Sequence, residues 1–493
     1  MQSQDAPRGP AGRLDPTDWD RFRTEAHRIL DASIDQLSQA GAGRVWTPCP
    51  RELIDTLAGA LGAGPASPGE TSRLLEALLP YGVGNTHPRF FGWVHGAGTP
   101  TGLIAEIAAA AINANCGGRN HAAIEVERLV VDWARRLMGF PEGASGLVVS
   151  GTSLATLIAL KVARDARLDF ESRTAGISGH WLTGYTSEEA HSCAARAFDM
   201  LGLGKAALRR VPVNARFEID LAALEEQIAA DRAAGATPFA VIGTAGSVNT
   251  GATDDLDALA DIAADEGMWL HVDGAFGACA MLSAQLRPRL KGIERARSIA
   301  FDFHKWMQVN YDAGCVLIRD EALHRQAFSD RPDYLVRDRE GLAAGEPWPV
   351  DYGPELSRGF RALKVWAQIA EHGEARLGEV VEANRMLAAR LAEAVDAHRD
   401  LERLAPVPLN ICCFRFIRKD WSGEALDRLN REIVLQLQLS GVAAPSTTRI
   451  GERLAIRVNI TNHRTREEDI DLLVEEVLRL GHSDTVRDAA LQE

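Results

Sequence analysis

The stretch "SIAFDFHKWMQVNYD" (298–312) sets Lys305 at the end of an apolar run, between His304 and Trp306. Lysine is among the side chains least often buried. An amine partly desolvated there has a lowered pKa, and the unprotonated form attacks an aldehyde to make a Schiff base. A lysine whose stem packs on Trp306 while its head reaches water fits the same residues. Three other features fall where short apolar runs end, the position at which open parallel sheets bind ligands. In "VVSGTSLATLIAL" a strand-like run meets Ser150-Gly151-Thr152-Ser153 just before a helix-like one. Backbone N–H groups and hydroxyls at a helix N-terminus suit a phosphate, and no Walker lysine follows. In "HVDGAFG" Asp273 follows an apolar run among small residues, placed to pair with a protonated ring nitrogen. In "SEEAHSCAARA" His191 stands near a helix start, where an imidazole stacks on a flat ring.

Taken singly, each feature has a plain alternative: a capped turn, a capping carboxylate, an exposed histidine, a snorkelling lysine. Together the four meet the needs of one cofactor, pyridoxal phosphate, an electron sink whose ring nitrogen must stay protonated.

The elements that must position these residues follow from the hydrophobic pattern. "GLVV" (146–149), "FAVIG" (239–243), "MWLHV" (268–272), "SIAF" (298–301) and "CVLI" (315–318) read as buried strands, with helices expected over 153–166 and 256–266. Strands alternating with helices predict an α/β domain on a mainly parallel sheet. The interval from Asp273 to Lys305 leaves room for a crossover helix and the next strand. Upstream, Asp15 is expected to cap a helix opened by Pro16, with Trp19, Phe22, Ala26, Ile29, Leu30 and Leu37 on its apolar face. Downstream, "RLAIRVNI" alternates as a strand, and Thr465 with Glu468 predicts a capping box.

Composition bounds the rest. A net charge of -14 argues against general nucleic-acid binding. The seven cysteines include no CxxC pair, so neither a zinc site nor a disulfide framework is expected. The N-terminus has no apolar h-region, and the most apolar helix-like stretch, "GLIAEIAAAAINANC", is too short to span a bilayer. A cytoplasmic protein without membrane or metal partners is expected.

The blocks "HPRFFGW" (87–93), "SGTSLATLIAL", "EEAHSC", "TAGSVNTGATDDL" (244–256), "HVDGAFG", "DFHKW", "YDAGC" and "FRALKVW" (360–366) keep a recognisable order. With that order and spacing the chain resembles the group II pyridoxal-phosphate-dependent amino-acid decarboxylases, such as the aromatic-L-amino-acid, glutamate and histidine decarboxylases. The resemblance runs from about residue 80 to "NHRTREEDID" near 470. It implies the α/β fold of type I pyridoxal-phosphate-dependent transferases (aspartate-aminotransferase-like), with a mainly parallel central sheet. The expected parts are a disordered tail (1–15), a helical dimerisation segment (16–87), a large cofactor domain (88–370) and a small α+β domain (371–493). It implies that Lys305 holds the cofactor as a Schiff base, that Asp273 contacts its ring nitrogen and that His191 stacks on its ring. Gly151, Thr152 and Ser153 match the phosphate-binding turn, with Asp302 and His304 nearby. Ser247 and Ala275 match positions beside and under the ring. "RPDYLVRD" matches the family's mobile loop, in which Tyr334 would return a proton to Cα after CO2 leaves. A homodimer with shared active sites and an L-amino-acid substrate are likewise implied.

Departures bear on substrate. Aromatic-specific members usually carry bulky rings in the segments that here read "VHGAGTP" and "NANCGGRNHAAIEVE". The expected pocket residues are Trp93, His95, Asn115, Arg119 and His121, together with Gly96 and Gly117. These weaken an aromatic substrate and permit a polar or acidic one, which Arg119 would pair if it does not form an interface salt bridge. Phe303 and Gly274 are lesser departures. An aldehyde synthase, a C–C lyase, an aminotransferase or a catalytically silent dimeric scaffold are the alternatives, and Tyr334 with intact Lys305, Asp273 and His191 favours decarboxylation.

Overall fold

The computed structural model describes residues 14–61, 64, 66, 68–330, 337–419 and 421–492. Its strands are β1 (Phe90–Phe91), β2 (Ser145–Val149), β3 (Leu182–Ser187), β4 (Leu208–Val211), β5 (Thr237–Thr244) and β6 (Trp269–Asp273). They continue as β7 (Ser298–Asp302), β8 (Gly314–Ile318), β9 (Leu401–Arg403), β10 (Ile411–Phe416), β11 (Ala444–Ile450) and β12 (Arg453–Asn459). The large sheet has the order β2-β8-β7-β6-β5-β3-β4. Its inner strands are buried on both faces because helices cover both sides, which is why they read as continuous apolar runs.

Pairing from β7 to β4 is parallel, while β8 runs antiparallel to both β7 and β2. This reversal matters for the site. The chain leaves β7, turns back through residues 303–313 and re-enters the sheet as β8, so Lys305 sits in a tight connection at the sheet edge. The C-terminal ends of β2, β5, β6 and β7 therefore share that edge. The crossover helix expected between Asp273 and Lys305 is absent from this connection. Three 3-10 turns, Gly277–Leu282, Arg287–Leu290 and Ile293–Arg295, replace it. A side chain at Gly277 would meet the Ala245 carbonyl at 2.2 Å, and Pro288 removes a donor, so this path stays short and irregular.

The edge strand β2 is closed by a buried ion pair. Glu127 accepts the Val148 N–H at 3.0 Å, and Arg358 donates to both Glu127 and the Val148 carbonyl, satisfying groups that an open edge leaves free.

The small sheet orders β9-β10-β12-β11, antiparallel, and β1 adds to it in parallel beside β11. The stretch Ala362–Ala397 joins the two sheets as two helices that meet at Gly373 (φ 69°), close to the expected boundary at 370/371. Two caps differ from expectation. The first helix runs Trp19–Ser38 and is capped by Asp18, whose carboxylate accepts from Asp20 and Arg21, so Asp15 and Pro16 precede it. The helix Glu467–Gly481 is opened by Asp469 accepting the Arg466 N–H at 2.9 Å, because Thr465 donates its hydroxyl to the Pro88 carbonyl instead. Among the described residues no helix is long and apolar enough to cross a membrane.

His271 and His324 tie the large sheet together. His271 meets Ser298 Oγ at 2.8 Å and Thr156 Oγ1 at 3.4 Å, and His324 meets Ser145 Oγ at 2.8 Å and the Tyr352 carbonyl at 2.7 Å. Burial pushes both imidazoles down to about 3. The unfolded chain binds these protons at about pH 6.5, so it holds protons that the folded chain refuses. The stability from both groups is complete above pH 6.5 and is lost as pH falls from there toward about 3. Urea midpoints measured from pH 7 downward are expected to decline, and His324→Gln to flatten that decline. An unchanged slope in the variant would show that His324 does not carry the effect.

Candidate active site

The connection that carries Lys305 is pinned from both sides. At its start the Asp302 N–H donates to the Ala275 carbonyl at 3.0 Å, and the His304 N–H donates to the Ala313 carbonyl at 3.2 Å. Nδ1 of His304 lies 3.0 Å from the Ala313 carbonyl and 3.1 Å from the Ala313 nitrogen, which closes the turn. Phe303 points inward against Phe301 and Trp133. Trp306 is buried too, its Nε1–H donating to Asn384 Oδ1 at 3.0 Å. With residues 303 and 306 anchored in the core, Lys305 is turned to the cleft, its side chain 23% exposed. Two glycines allow close approach: a Cβ at Gly96 would strike the His304 carbonyl, and one at Gly314 would lie 2.6 Å from both Asp302 Oδ1 and the Gly151 backbone.

Asp302 organises the charges. Its Oδ2 lies 2.8 Å from Lys305 Nζ and 3.8 Å from His304 Nε2, while Oδ1 accepts the Thr152 N–H at 2.7 Å. Burial pulls the Lys305 ammonium down, but Asp302, with Asp273 behind it, outweighs burial and leaves the pKa raised. This corrects the expectation of a lowered pKa: desolvation is present, and a carboxylate three residues away overrides it.

Asp273 ends β6 beside this group. Its Oδ1 accepts the Ala275 N–H at 3.1 Å, and its Oδ2 accepts the Cys193 S–H at 3.5 Å. His191 precedes the helix Cys193–Met200, and its Nδ1 accepts the Cys193 N–H at 3.2 Å. Ser247 is buried, with Oγ 2.9 Å from Thr250 Oγ1. At the N-terminus of helix Thr152–Arg167, the buried Thr152 Oγ1 has no partner. An unpartnered hydroxyl beside helix N–H groups fits a phosphate. An amine, a carboxylate and an imidazole on the same sheet edge fit the aldehyde, ring nitrogen and ring face of pyridoxal phosphate. The residues present fit the cofactor.

Of the expected pocket residues, His95 reaches this edge, and Trp93 is joined to it through His95. His95 packs on Tyr311, whose ring lies 4.3 Å from that of His304, and Phe90 and Trp93 complete the ring cluster. The segment 115–121 is engaged elsewhere. Asn115 Oδ1 accepts the Gly117 and Arg358 N–H groups, and the Asn115 carbonyl lies 3.2 Å from His121 Nε2. Arg119 stacks on Trp348, which also carries Arg337. Among the described residues no hydrogen bond, ion pair or ring contact joins Asn115, Arg119 or His121 to Lys305. Gly96 and Gly117 are required by close backbone approach, since a Cβ at Gly117 would strike the Leu356 carbonyl. Tyr334 lies outside the described residues.

Two site residues had no assigned role in the sequence, Cys193 and Tyr311. Both fall in quoted blocks, "EEAHSC" and "YDAGC", and that is the signal that marks them.

Residues 70–417 match the pyridoxal-dependent decarboxylase conserved domain. The chain is 36% identical over 387 residues to an aromatic-L-amino-acid decarboxylase of Bacillus atrophaeus, covering 78% of this chain and 79% of the relative. It is 27% identical to an L-2,4-diaminobutyrate decarboxylase of Acinetobacter baumannii, covering 85% and 84%. Among solved structures it is similar to Oryza sativa TDC with PLP and tryptamine, at 26% identity and a TM-score of 0.87, covering 95% of this chain and 99% of that one.

Asp302→Asn removes the charge that holds Lys305 protonated and keeps an oxygen for Thr152. Burial then acts unopposed by Asp302, and the Lys305 pKa is expected to fall below its ordinary value. Competitive acylation of Lys305 against pH in cofactor-stripped protein measures this, and an unmoved profile would show that Asp302 does not set the amine's charge.

Proposed function

This chain belongs to the pyridoxal-dependent decarboxylase family, and we propose that it is an L-amino-acid α-decarboxylase acting on substrates with a planar ring. The observation that carries this is the cluster of Lys305, Asp302, Asp273 and His191 on one sheet edge, with Tyr311 packed on His304 and His95 packed on Tyr311. Pyridoxal phosphate, when bound, takes up the electron pair left as CO2 departs. In this reading Gly151, Thr152 and Ser153 hold its phosphate with His304 nearby, and Asp273 keeps its ring nitrogen protonated. His191 would cover one ring face, with Ala275 under the ring and Ser247 beside it. Lys305 would be the amine that holds the aldehyde, and the Asp302 carboxylate beside it keeps the free amine protonated.

Tyr334 is the proposed proton donor to Cα. A proton delivered there yields the primary amine, which separates this reaction from aldehyde formation. Phe90, Trp93, His95 and Tyr311 support a ring-bearing substrate, whereas the polar side chains of 115–121 are occupied with backbone and Trp348. A diaminobutyrate-like substrate is the second reading, favoured by the similarity to that decarboxylase alone.

A homodimer is part of the proposal. The helix Trp19–Ser38 buries none of its residues within the chain, and Ile104, Ile107 and Ile112 of helix Pro100–Ile112 are about half exposed. Apolar surface in two such stretches is what an obligate partner covers.

A screen of amine release across the common amino acids tests the substrate class. Aromatic amino acids are expected to turn over, and turnover of 2,4-diaminobutyrate alone would overturn the ring-bearing class. Lys305→Ala is expected to lose both amine release and the visible Schiff-base absorbance. Tyr334→Phe is expected to shift product from amine toward aldehyde, and an unchanged product ratio would remove Tyr334 from the protonation step.

A further inference from the structure

We infer that Gln308 is a positioning residue for Lys305: its side chain locks the turn that carries the amine to the cleft wall on one side and to the small domain on the other. The role of Lys305 as the amine that holds the aldehyde, proposed above, is the premise.

Residues 303–309 form a closed loop with Lys305 inside it. The Val309 N–H donates to the Phe303 carbonyl at 3.1 Å, and the Gln308 N–H donates to the Lys305 carbonyl at 3.2 Å. Gln308 itself has a left-handed φ of 62° and is only 2% exposed. That conformation suits glycine, and to a lesser degree asparagine and aspartate, rather than a long side chain. Such a residue persists where its surroundings over-determine it, so the contacts of a buried glutamine must be what holds it there.

Those contacts engage the amide oxygen and both N–H donors. Oε1 accepts the Ala97 N–H at 3.0 Å, while Nε2 donates to the Trp306 carbonyl at 3.0 Å and to the Thr461 carbonyl at 2.5 Å. Ala97 lies in the wall that follows β1, Trp306 adjoins Lys305, and Thr461 lies in the small domain just after β12. One side chain thus joins three segments remote in sequence. The wall and the small domain are also tied without it, since Thr461 Oγ1 donates to the His95 carbonyl at 2.7 Å. The far end of the connection is tied as well, because Asn310 Oδ1 accepts the Thr99 N–H at 3.0 Å. What Gln308 adds is the Lys305 turn. From one backbone position Lys305 has to meet Asp302, 2.8 Å away, and the aldehyde. Misplacing a reacting group by ~1 Å can cost on the order of 100-fold in rate.

The test strips full-chain holoenzyme of cofactor and reloads it with pyridoxal phosphate, following the growth of Schiff-base absorbance in the wild type, Gln308→Leu and Gln308→Gly. Competitive acylation of the stripped proteins gives the pH profile of Lys305. Both variants are expected to load at least about tenfold more slowly, and their Lys305 profile to move down toward that of an ordinary lysine as the hold on Asp302 loosens. Gln308→Gly relieves the left-handed backbone while removing the amide, so it separates conformation from contact and covers the case in which Gln308→Leu fails to fold. Asn430→Leu is the control. Asn430 is a buried amide of the small domain with the same bonding pattern, accepting the Phe416 N–H and donating to the Phe416 and Leu426 carbonyls. Its loss is expected to lower the urea midpoint and to move neither readout. Wild-type loading and an unmoved Lys305 profile in Gln308→Gly overturn the inference, since the side-chain contacts would then be dispensable. Equal shifts in Asn430→Leu also overturn it, since general loosening would then account for the effect. If Lys305→Ala still gains the Schiff-base absorbance, the role proposed for Lys305 fails, and that outcome is read in a different variant.

Discussion

The contact between Lys305 and Asp302 is the constraint on which the site depends. Removing an ammonium and a carboxylate from water costs several kcal/mol for each ion unless geometry and further hydrogen bonds return it. Here the return is visible. The carboxylate is buried at the end of β7, one oxygen accepts the Thr152 N–H, and the other faces the amine at 2.8 Å. That arrangement requires β2 and β7 to end side by side, because Thr152 follows β2 and Asp302 closes β7. The antiparallel β8 between them achieves this, and Gly314 leaves room for the carboxylate at the point where β8 begins. Strand order, strand direction and one glycine thus serve a single ion pair.

The same ion pair shows what a sequence can carry and what it cannot. Lys305, Asp273, His191 and Thr152 are legible because each follows a short apolar run, and strand ends in a parallel sheet share an edge; Asp302 is marked by the family resemblance alone. The charge state of Lys305 was not legible. Burial alone predicts a lowered pKa, and the opposite outcome depends on an oxygen position that only the folded turn defines. Cys193 behaves alike: its contact with Asp273 depends on how the helix at residue 193 docks against β6, which periodicity does not report. The crossover before β7 departs from expectation for a different reason. The interval has the length of a helical connection, but Gly277 lies against the Ala245 backbone and Pro288 interrupts the donors, so the chain takes 3-10 turns.

Pocket polarity was the least legible feature. Asn115 and Arg119 look like substrate contacts when only composition is considered. In the fold, Asn115 satisfies two backbone N–H groups and Arg119 lies over Trp348. Polar residues in irregular segments are drawn first to backbone groups that no sheet or helix satisfies. A small or polar residue near a cleft therefore says little about substrate until its backbone duties are known.

That accounting also explains why the small domain is needed at all. The loops that wall the cleft lie beyond the edge of the large sheet, so their carbonyls find no donors there. The small domain supplies them. Arg457 donates to the Val248 and Trp93 carbonyls, and Thr461 donates to that of His95. The Gln308 side chain ties the Trp306 carbonyl to that of Thr461. Thr448 and Glu189 grip the Asn249 side chain from opposite sides, joining the small sheet to the segment just before His191. With β1 paired to β11, the chain at residues 92–97 runs directly from the small sheet into the cleft. The large sheet places the charged residues, and the small one places the walls they face. Rigidity of the cleft is therefore a property of the two sheets jointly, and neither element set could hold the site in shape alone.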